Sequence, residues 1–132
     1  MVWRLFHRTL VLAVLPALFA LPSPALAADG AQLFAQHCAA CHQANGQGIP
    51  GAFPALAHDA FVTGAPAPVV MTLLNGRKAM PPFRDTLTDE QLSATIGFVR
   101  RSWGNKAPPI PAAAFTAARK GIVAGKKTPT TR

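Results

Sequence analysis

A five-residue stretch, CAACH from Cys38 to His42, constrains this chain more than any other feature and holds its only two cysteines. Two thiols three residues apart with a histidine directly after them suit three kinds of site. These are a redox-active dithiol, half of a zinc site, and a covalent haem attachment in which each cysteine bonds a vinyl group and the histidine binds the iron. The rest of the chain distinguishes among them.

Residues 1–27 have the pattern of a secretory signal peptide, with a basic start, an apolar stretch and the sequence ALA before a cleavage point. The apolar stretch is shorter than the roughly 20 residues of a membrane-spanning helix, and Pro16 interrupts it. We therefore expect a mature chain that starts at Ala28 in an oxidising compartment, most simply a bacterial periplasm.

Two of the three kinds of site fit an exported chain poorly. A structural zinc site needs four nitrogen or sulfur ligands, and beyond the motif only His37 and His58 remain in the mature chain. A thioredoxin-like dithiol belongs to a chain of alternating strands and helices, and no such alternation is visible. Residues three apart lie on one face of a helix, so Cys38 and Cys41 can reach neighbouring vinyl groups. We predict covalent haem attachment at these cysteines, with His42 as an iron ligand.

The chain resembles the single-haem, class I c-type cytochromes of bacteria in four blocks that occur in the family's order. The blocks are GAQLFAQHCAACH, GIPGAFPAL, LLNGRKAMPPF and LTDEQLSATIGFVRRSWGN. The resemblance implies an all-α fold, the small cytochrome c fold with three to four helices and loops wrapped around one covalently bound haem c. We expect a signal peptide at 1–27, a cytochrome c domain at 28–105, and a basic Pro/Ala/Lys-rich tail at 106–132 that is flexible or extended.

Local signals predict where two of the helices begin and end. The stretch from Asp29 to Cys41 is rich in Ala, Gln and Leu and has no proline, and Asp29 lies near the positive end of its dipole. A second helix opens at Pro66 or Pro68 and ends before Gly76.

A third helix begins at Thr88, which forms a capping box with Gln91. The resemblance implies that the aromatic ring of Phe98 crosses the first helix near Phe34. Gly97 lies inside this helix, and we expect it to permit the close approach of the two helices.

The segment after the motif contains three glycines and two prolines before Leu56, so it should form a loop around the haem edge. A ligating histidine usually donates a hydrogen bond from its other ring nitrogen, and the resemblance names the carbonyl of Pro54 as the acceptor for His42. We expect Leu56 to pack on the porphyrin face and Phe34 to face the haem interior.

The sixth iron ligand has three candidates. Met71 lies in an apolar helix, where we expect it to fill the core. Met80 precedes two prolines that stiffen its loop, and the resemblance places the axial methionine of the family at this position. His58 is the alternative, and it would give a bis-histidine haem of lower potential.

The basic character is concentrated at the C-terminal end of the chain. The formal net charge is +8, and no acidic residue follows Glu90. Such a field suits docking to an acidic redox partner, with a rate that depends on salt. We expect a dehydrogenase, a quinol-cytochrome c reductase or a terminal oxidase as the partner, and not nucleic acid. The tail is also a candidate for peripheral membrane contact.

An iron with histidine and methionine ligands has no open position for a substrate, so it transfers single electrons. We therefore expect an electron carrier and not an enzyme. One alternative is a haem c subunit of a membrane-associated dehydrogenase or oxidase complex. The other is a haem sensor or enzyme with an open sixth position, which requires Met80 to be off the iron.

Overall fold

The computed structural model describes the backbone of residues 29–125 and the side chains of residues 29–121. The predicted signal peptide lies outside these residues. The described part is all-α, as predicted, and its strand pairing is limited to two isolated bridges. No helix in this part is long and apolar enough to cross a membrane. The helices are α1 (Gly30–His37), α2 (Ala39–His42), α3 (Ala60–Thr63), α4 (Pro66–Asn75), α5 (Asp89–Val99) and α6 (Ala112–Gly125).

The predicted capping signals are confirmed in the three longer helices that carry them. The side chain of Asp29 accepts a 2.9 Å hydrogen bond from an N–H of the first turn of α1. Helix α4 begins at Pro66 and is followed by Gly76, whose φ of +73° favours glycine. At the start of α5, Thr88 and Gln91 form both hydrogen bonds of a capping box.

Helices α1 and α5 cross through an aromatic cluster. The ring of Phe34 lies 5.7 Å from that of Phe98, which confirms the predicted contact. The ring of Trp103 lies 5.0 Å from Phe34 and 5.4 Å from Phe98. Helix α5 ends at Val99, so Trp103 reaches the cluster from the turn that follows the helix.

The glycine that permits this crossing is Gly30 and not Gly97, so the prediction for Gly97 is wrong. A Cβ atom added at Gly97 would lie 3.6 Å from the side chain of Pro109, which is an ordinary contact outside the crossing. A Cβ atom added at Gly30 would lie 2.1 Å from the carbonyl oxygen of Ala94 in α5. The backbone of α1 therefore rests directly on α5 at this point.

We expected a flexible or extended tail from residue 106, but α6 (Ala112–Gly125) is a helix and the buried core continues beyond residue 105. The side chains of Ile110 and Phe115 are 0% exposed and belong to the same core as α1, α4 and α5. Helix α6 packs against α4 and α5. The composition was misleading because the segment has few large apolar residues, yet these two are completely buried.

A buried arginine also ties the C-terminal segment to the domain. Arg100 is 2% exposed, and its Nε donates to the carbonyl of Pro108 at 2.7 Å. Its Nη1 donates to the carbonyls of Val62 and Gly64 at 2.5 and 3.1 Å. Carbonyl acceptors thus replace the water that this guanidinium loses on burial.

Candidate haem-binding site

The two cysteines lie one helical turn apart, where α1 gives way to α2. Cys38 separates the two helices with φ −124° and ψ −35°, so the helix predicted from Asp29 to Cys41 is interrupted there. The N–H groups of Cys41 and His42 both donate to the carbonyl of Cys38, at 3.1 and 2.9 Å. This turn keeps the three side chains of the motif together, and both cysteine side chains are partly buried.

The burial of Cys38 disfavours its thiolate form. Burial, and to a smaller extent the neighbouring Cys41, raises the pKa of the Cys38 thiol to about 11. Thiol–disulfide exchange needs a thiolate, and reactive cysteines therefore have a lowered pKa. The shift at Cys38 has the opposite direction.

His42 is buried at the end of α2, and a hydrogen bond fixes its ring. Its Nδ1 lies 2.9 Å from the carbonyl oxygen of Pro54, the acceptor that the resemblance names. Because a carbonyl only accepts, Nδ1 carries a proton, and in the neutral imidazole the lone pair is then on Nε2. The imidazole is thus held in the tautomer and orientation that a metal ligand requires.

Two glycines shape the loop that supplies this carbonyl. A Cβ atom at Gly48 would lie 2.5 Å from the carbonyl oxygens of both Phe53 and Pro54. The carbonyl of Gly46 accepts a 2.7 Å hydrogen bond from the N–H of Leu56. The loop can therefore close behind His42 only because these positions lack side chains, and both have positive φ.

Leu56 and Phe34, the predicted pocket residues, both contact the core. Leu56 is partly buried, and Phe34 is 2% exposed within the aromatic cluster. Sequence analysis missed Asn105, whose Nδ2 donates to the carbonyls of Leu56 at 2.8 Å and Val99 at 2.9 Å. The only sign of this role in the sequence was that a polar residue directly follows Trp103 and Gly104. Asn105 thus fixes the loop that carries Leu56 to the end of α5.

Met80 lies in a tight hairpin that follows α4. The N–H of Arg77 donates to the carbonyl of Met80 at 3.1 Å, and the N–H of Met80 donates back at 3.0 Å. A Cβ atom at Gly76 would lie 2.5 Å from the carbonyl oxygen of Met80, so the chain doubles back closely. Beyond the two prolines, the N–H of Phe83 donates to the carbonyl of Leu73 at 2.9 Å. The Met80 side chain is partly buried against the core.

The other candidate ligands have different surroundings. The prediction that Met71 fills the core is wrong, because its side chain is 41% exposed on α4. His58 is exposed, and its ring lies so close to Gly104 that an added Cβ atom there would be 1.9 Å away. His37 meets the edge of Phe83, with 6.4 Å between ring centroids. Of the two methionines in the described residues, Met80 is the one that contacts the core.

These donors fit a covalently bound haem. Cys38 and Cys41 supply two thiols on one turn, and His42 offers a free Nε2 that is oriented by Pro54. Met80 adds a neutral thioether on a constrained loop. Two thioether bonds, a proximal imidazole and a neutral sixth ligand are the components of haem c ligation.

Comparisons with known proteins agree with this donor set. Residues 25–99 match the family described as cytochrome c oxidase, cbb3-type, subunit III. The chain is 39% identical to cytochrome c-552 of Thermus thermophilus, over 59% of this chain and 70% of that protein. It is 34% identical to cytochrome c6 of Nostoc sp., over 61% of this chain and 78% of that protein.

A further relative is much longer than this chain. The cytochrome c subunit of alcohol dehydrogenase (quinone) from Gluconacetobacter polyoxogenes is 34% identical over 60% of this chain. The match spans only 19% of that subunit. The similarity therefore covers one segment of a larger protein.

Proposed function

The chain belongs to the class I c-type cytochromes and binds one covalently attached haem c, and from this premise we propose that it is a periplasmic single-electron carrier with His42 and Met80 as the axial ligands. Haem c, when bound, supplies an iron that cycles between the ferric and ferrous states. Cys38 and Cys41 tether the group, and His42 holds its proton on Nδ1 toward Pro54.

The constrained Met80 loop is the observation that carries this proposal. A thioether that stays on the iron closes the sixth position, so no substrate can bind there and electron transfer remains as the function. Two hydrogen bonds to Arg77 and the close passage of Gly76 limit the positions that Met80 can adopt. The same constraint argues against a sensor or an enzyme with an open position.

Optical spectroscopy with carbon monoxide tests the ligand set directly. The purified ferric protein should show the weak red charge-transfer band of methionine bound to iron, and the ferrous protein should not bind carbon monoxide. Met80→Ala should lose the band and bind carbon monoxide. Met71→Ala is the matched control, because it removes an exposed methionine and should change neither result. A wild-type protein without the band that binds carbon monoxide readily would overturn the proposal.

Export supports the periplasmic location. The signal-peptide pattern of residues 1–27 is the basis for it, and those residues are outside the described part of the chain. Processing of the expressed precursor should leave a mature protein that begins at Ala28, which N-terminal sequencing of a periplasmic fraction would establish. An unprocessed protein in the membrane fraction would contradict it.

Similarity to a dehydrogenase subunit favours a second candidate function, that of a haem subunit in a larger redox complex. Size fractionation of a native periplasmic extract, followed by haem absorbance, distinguishes the two. A carrier elutes as a small protein, whereas a subunit elutes with its complex. As partners we propose a dehydrogenase, a quinol-cytochrome c reductase or a terminal oxidase, with the basic tail as a candidate for membrane contact.

A further inference from the structure

A single arginine of α6 holds the segment that follows the Met80 loop. The Nε of Arg119 forms an ion pair with Asp89 at 2.6 Å, and Asp89 is the first residue of α5. Its Nη1 donates to the carbonyl of Arg84 at 2.5 Å, and its Nη2 donates to the carbonyl of Leu87 at 3.0 Å. All three acceptors belong to residues 84–89, which we call the bracketed segment.

The bracketed segment is joined to Met80 by a stiff connection. Two prolines follow Met80, and neither has an N–H to donate, so the backbone between Met80 and Phe83 depends on its ends for support. The N-terminal end has the Arg77 hairpin. At the other end, the carbonyl of Phe83 accepts from the N–H of Leu87 at 3.0 Å, and the carbonyl of Leu87 is bound by Arg119.

Helix α6 presents this arginine in a fixed position. Phe115, one turn before Arg119, is 0% exposed in the core. Thr116 donates a 2.6 Å hydrogen bond to the second carboxylate oxygen of Asp89. The side chain of Arg119 is 29% exposed and that of Asp89 is 16% exposed, so water screens the pair only in part. The match to the family ends at residue 99, so Arg119 lies beyond the matched region while its three acceptors lie within it.

We propose that Arg119 is a positioning residue for the Met80 ligand, acting through the bracketed segment. This inference rests on the proposed function, in which Met80 binds the iron. When the contacts of Arg119 are removed, the bracketed segment can move away from α6, and the Met80 thioether leaves the iron more often. A substitution at Arg119 changes neither its acceptors nor the cysteines of the haem motif. We therefore expect it to affect the Met80 loop and not the attachment of the haem.

Imidazole binding to the ferric protein measures this effect, because imidazole competes with the Met80 thioether for the iron. Imidazole can bind only to molecules in which the thioether is off the iron. Its apparent affinity is therefore the intrinsic affinity multiplied by the fraction of such molecules. Arg119→Gln should bind imidazole about tenfold more tightly than the wild type, equivalent to about 1.4 kcal/mol. Arg119→Lys keeps the charge but cannot reach all three acceptors, so it should lie between the two. Lys120→Gln removes an equal charge from the exposed neighbouring position and should equal the wild type.

Denaturation of the same variants separates positioning from a purely structural role. If Arg119→Gln lowers the free energy of unfolding but binds imidazole as Lys120→Gln does, the inference is wrong. If Arg119→Gln fails to assemble with haem, Arg119→Lys carries the comparison, and equality with the wild type overturns the inference. If instead the wild type binds imidazole as tightly as Met80→Ala, Met80 is not a ligand and the proposed function itself fails.

Discussion

Two glycines of this domain should respond in opposite ways to substitution by alanine. A Cβ atom at Gly30 would lie 2.1 Å from the carbonyl oxygen of Ala94 and 3.1 Å from the Cβ of Phe98. The carbonyl is part of the α5 backbone and cannot rotate away. A Cβ atom at Gly97 would meet only ordinary contacts at 3.6 Å or more.

The structure sets the size of each effect. To relieve the contact at Gly30, α1 must move by roughly 1 Å, and a gap of this size forfeits up to about half of each dispersion contact across it. The aromatic contact of Phe34 with Phe98 lies at this crossing. Overpacking of this kind typically costs 1–3 kcal/mol, and we expect about 2 kcal/mol for Gly30→Ala. Gly97→Ala should instead stabilise the protein by up to about 1 kcal/mol, the difference in helix propensity.

Guanidinium denaturation of the haem-loaded proteins, followed by far-UV circular dichroism, measures both free energies of unfolding. The wild type and the two single variants need to be compared at one pH and one oxidation state. An unchanged free energy of unfolding for Gly30→Ala would refute the assignment of Gly30 to the crossing. A loss of about 2 kcal/mol for Gly97→Ala would restore the original prediction for that residue.

Two further predictions concern the C-terminal segment. Partial burial acts to raise the pKa of Asp89, but hydrogen bonds from Thr116 and Arg119 and the charge of Arg119 lower it below 3.8. The stabilisation by Asp89 is therefore fully present above about pH 5, and the difference in the free energy of unfolding between the wild type and Asp89→Asn should shrink as the pH falls through the lowered pKa of Asp89. Asp85→Asn, at an exposed position outside this ion pair, is the matched control. Phe115→Ala should lower the free energy of unfolding by about 3–5 kcal/mol in chemical denaturation, and a cost below about 0.5 kcal/mol would show that α6 does not belong to the core.

The features that local residue patterns predicted correctly depend on residues close together in the chain, whereas the contact of Phe34 with Phe98 was predicted from the family resemblance. The capping box of Thr88 and Gln91 needs residues three apart, and the stop at Gly76 needs one residue with positive φ. The axial position of Met80, which stays a prediction, was assigned from the two prolines that follow it and from the resemblance to the family. Such signals can be recognised without knowledge of the tertiary fold.

The wrong prediction for Met71 shows that hydrophobicity alone does not identify the buried face of an apolar helix. Residues Val69, Val70, Leu73 and Leu74 of α4 are buried, and this spacing defines one stripe along the helix. Met71 falls outside the stripe and is exposed. Because nearly all residues of α4 are apolar, hydrophobicity did not distinguish the buried stripe from the exposed face.

The Met80 loop combines the two kinds of information. Its N-terminal side is constrained by neighbours in sequence, the hairpin of Arg77 and the turn at Gly76. On its C-terminal side, the N–H of Phe83 is bound to Leu73 of α4, and Arg119 binds the carbonyls of the segment that follows from more than 30 residues away in the chain. Composition assigned Arg119 to a solvated tail, because a basic residue among alanines gives no sign of its partners. The Met80 loop, which a distant helix supports, can therefore be altered by substitutions that leave every residue of the haem motif unchanged.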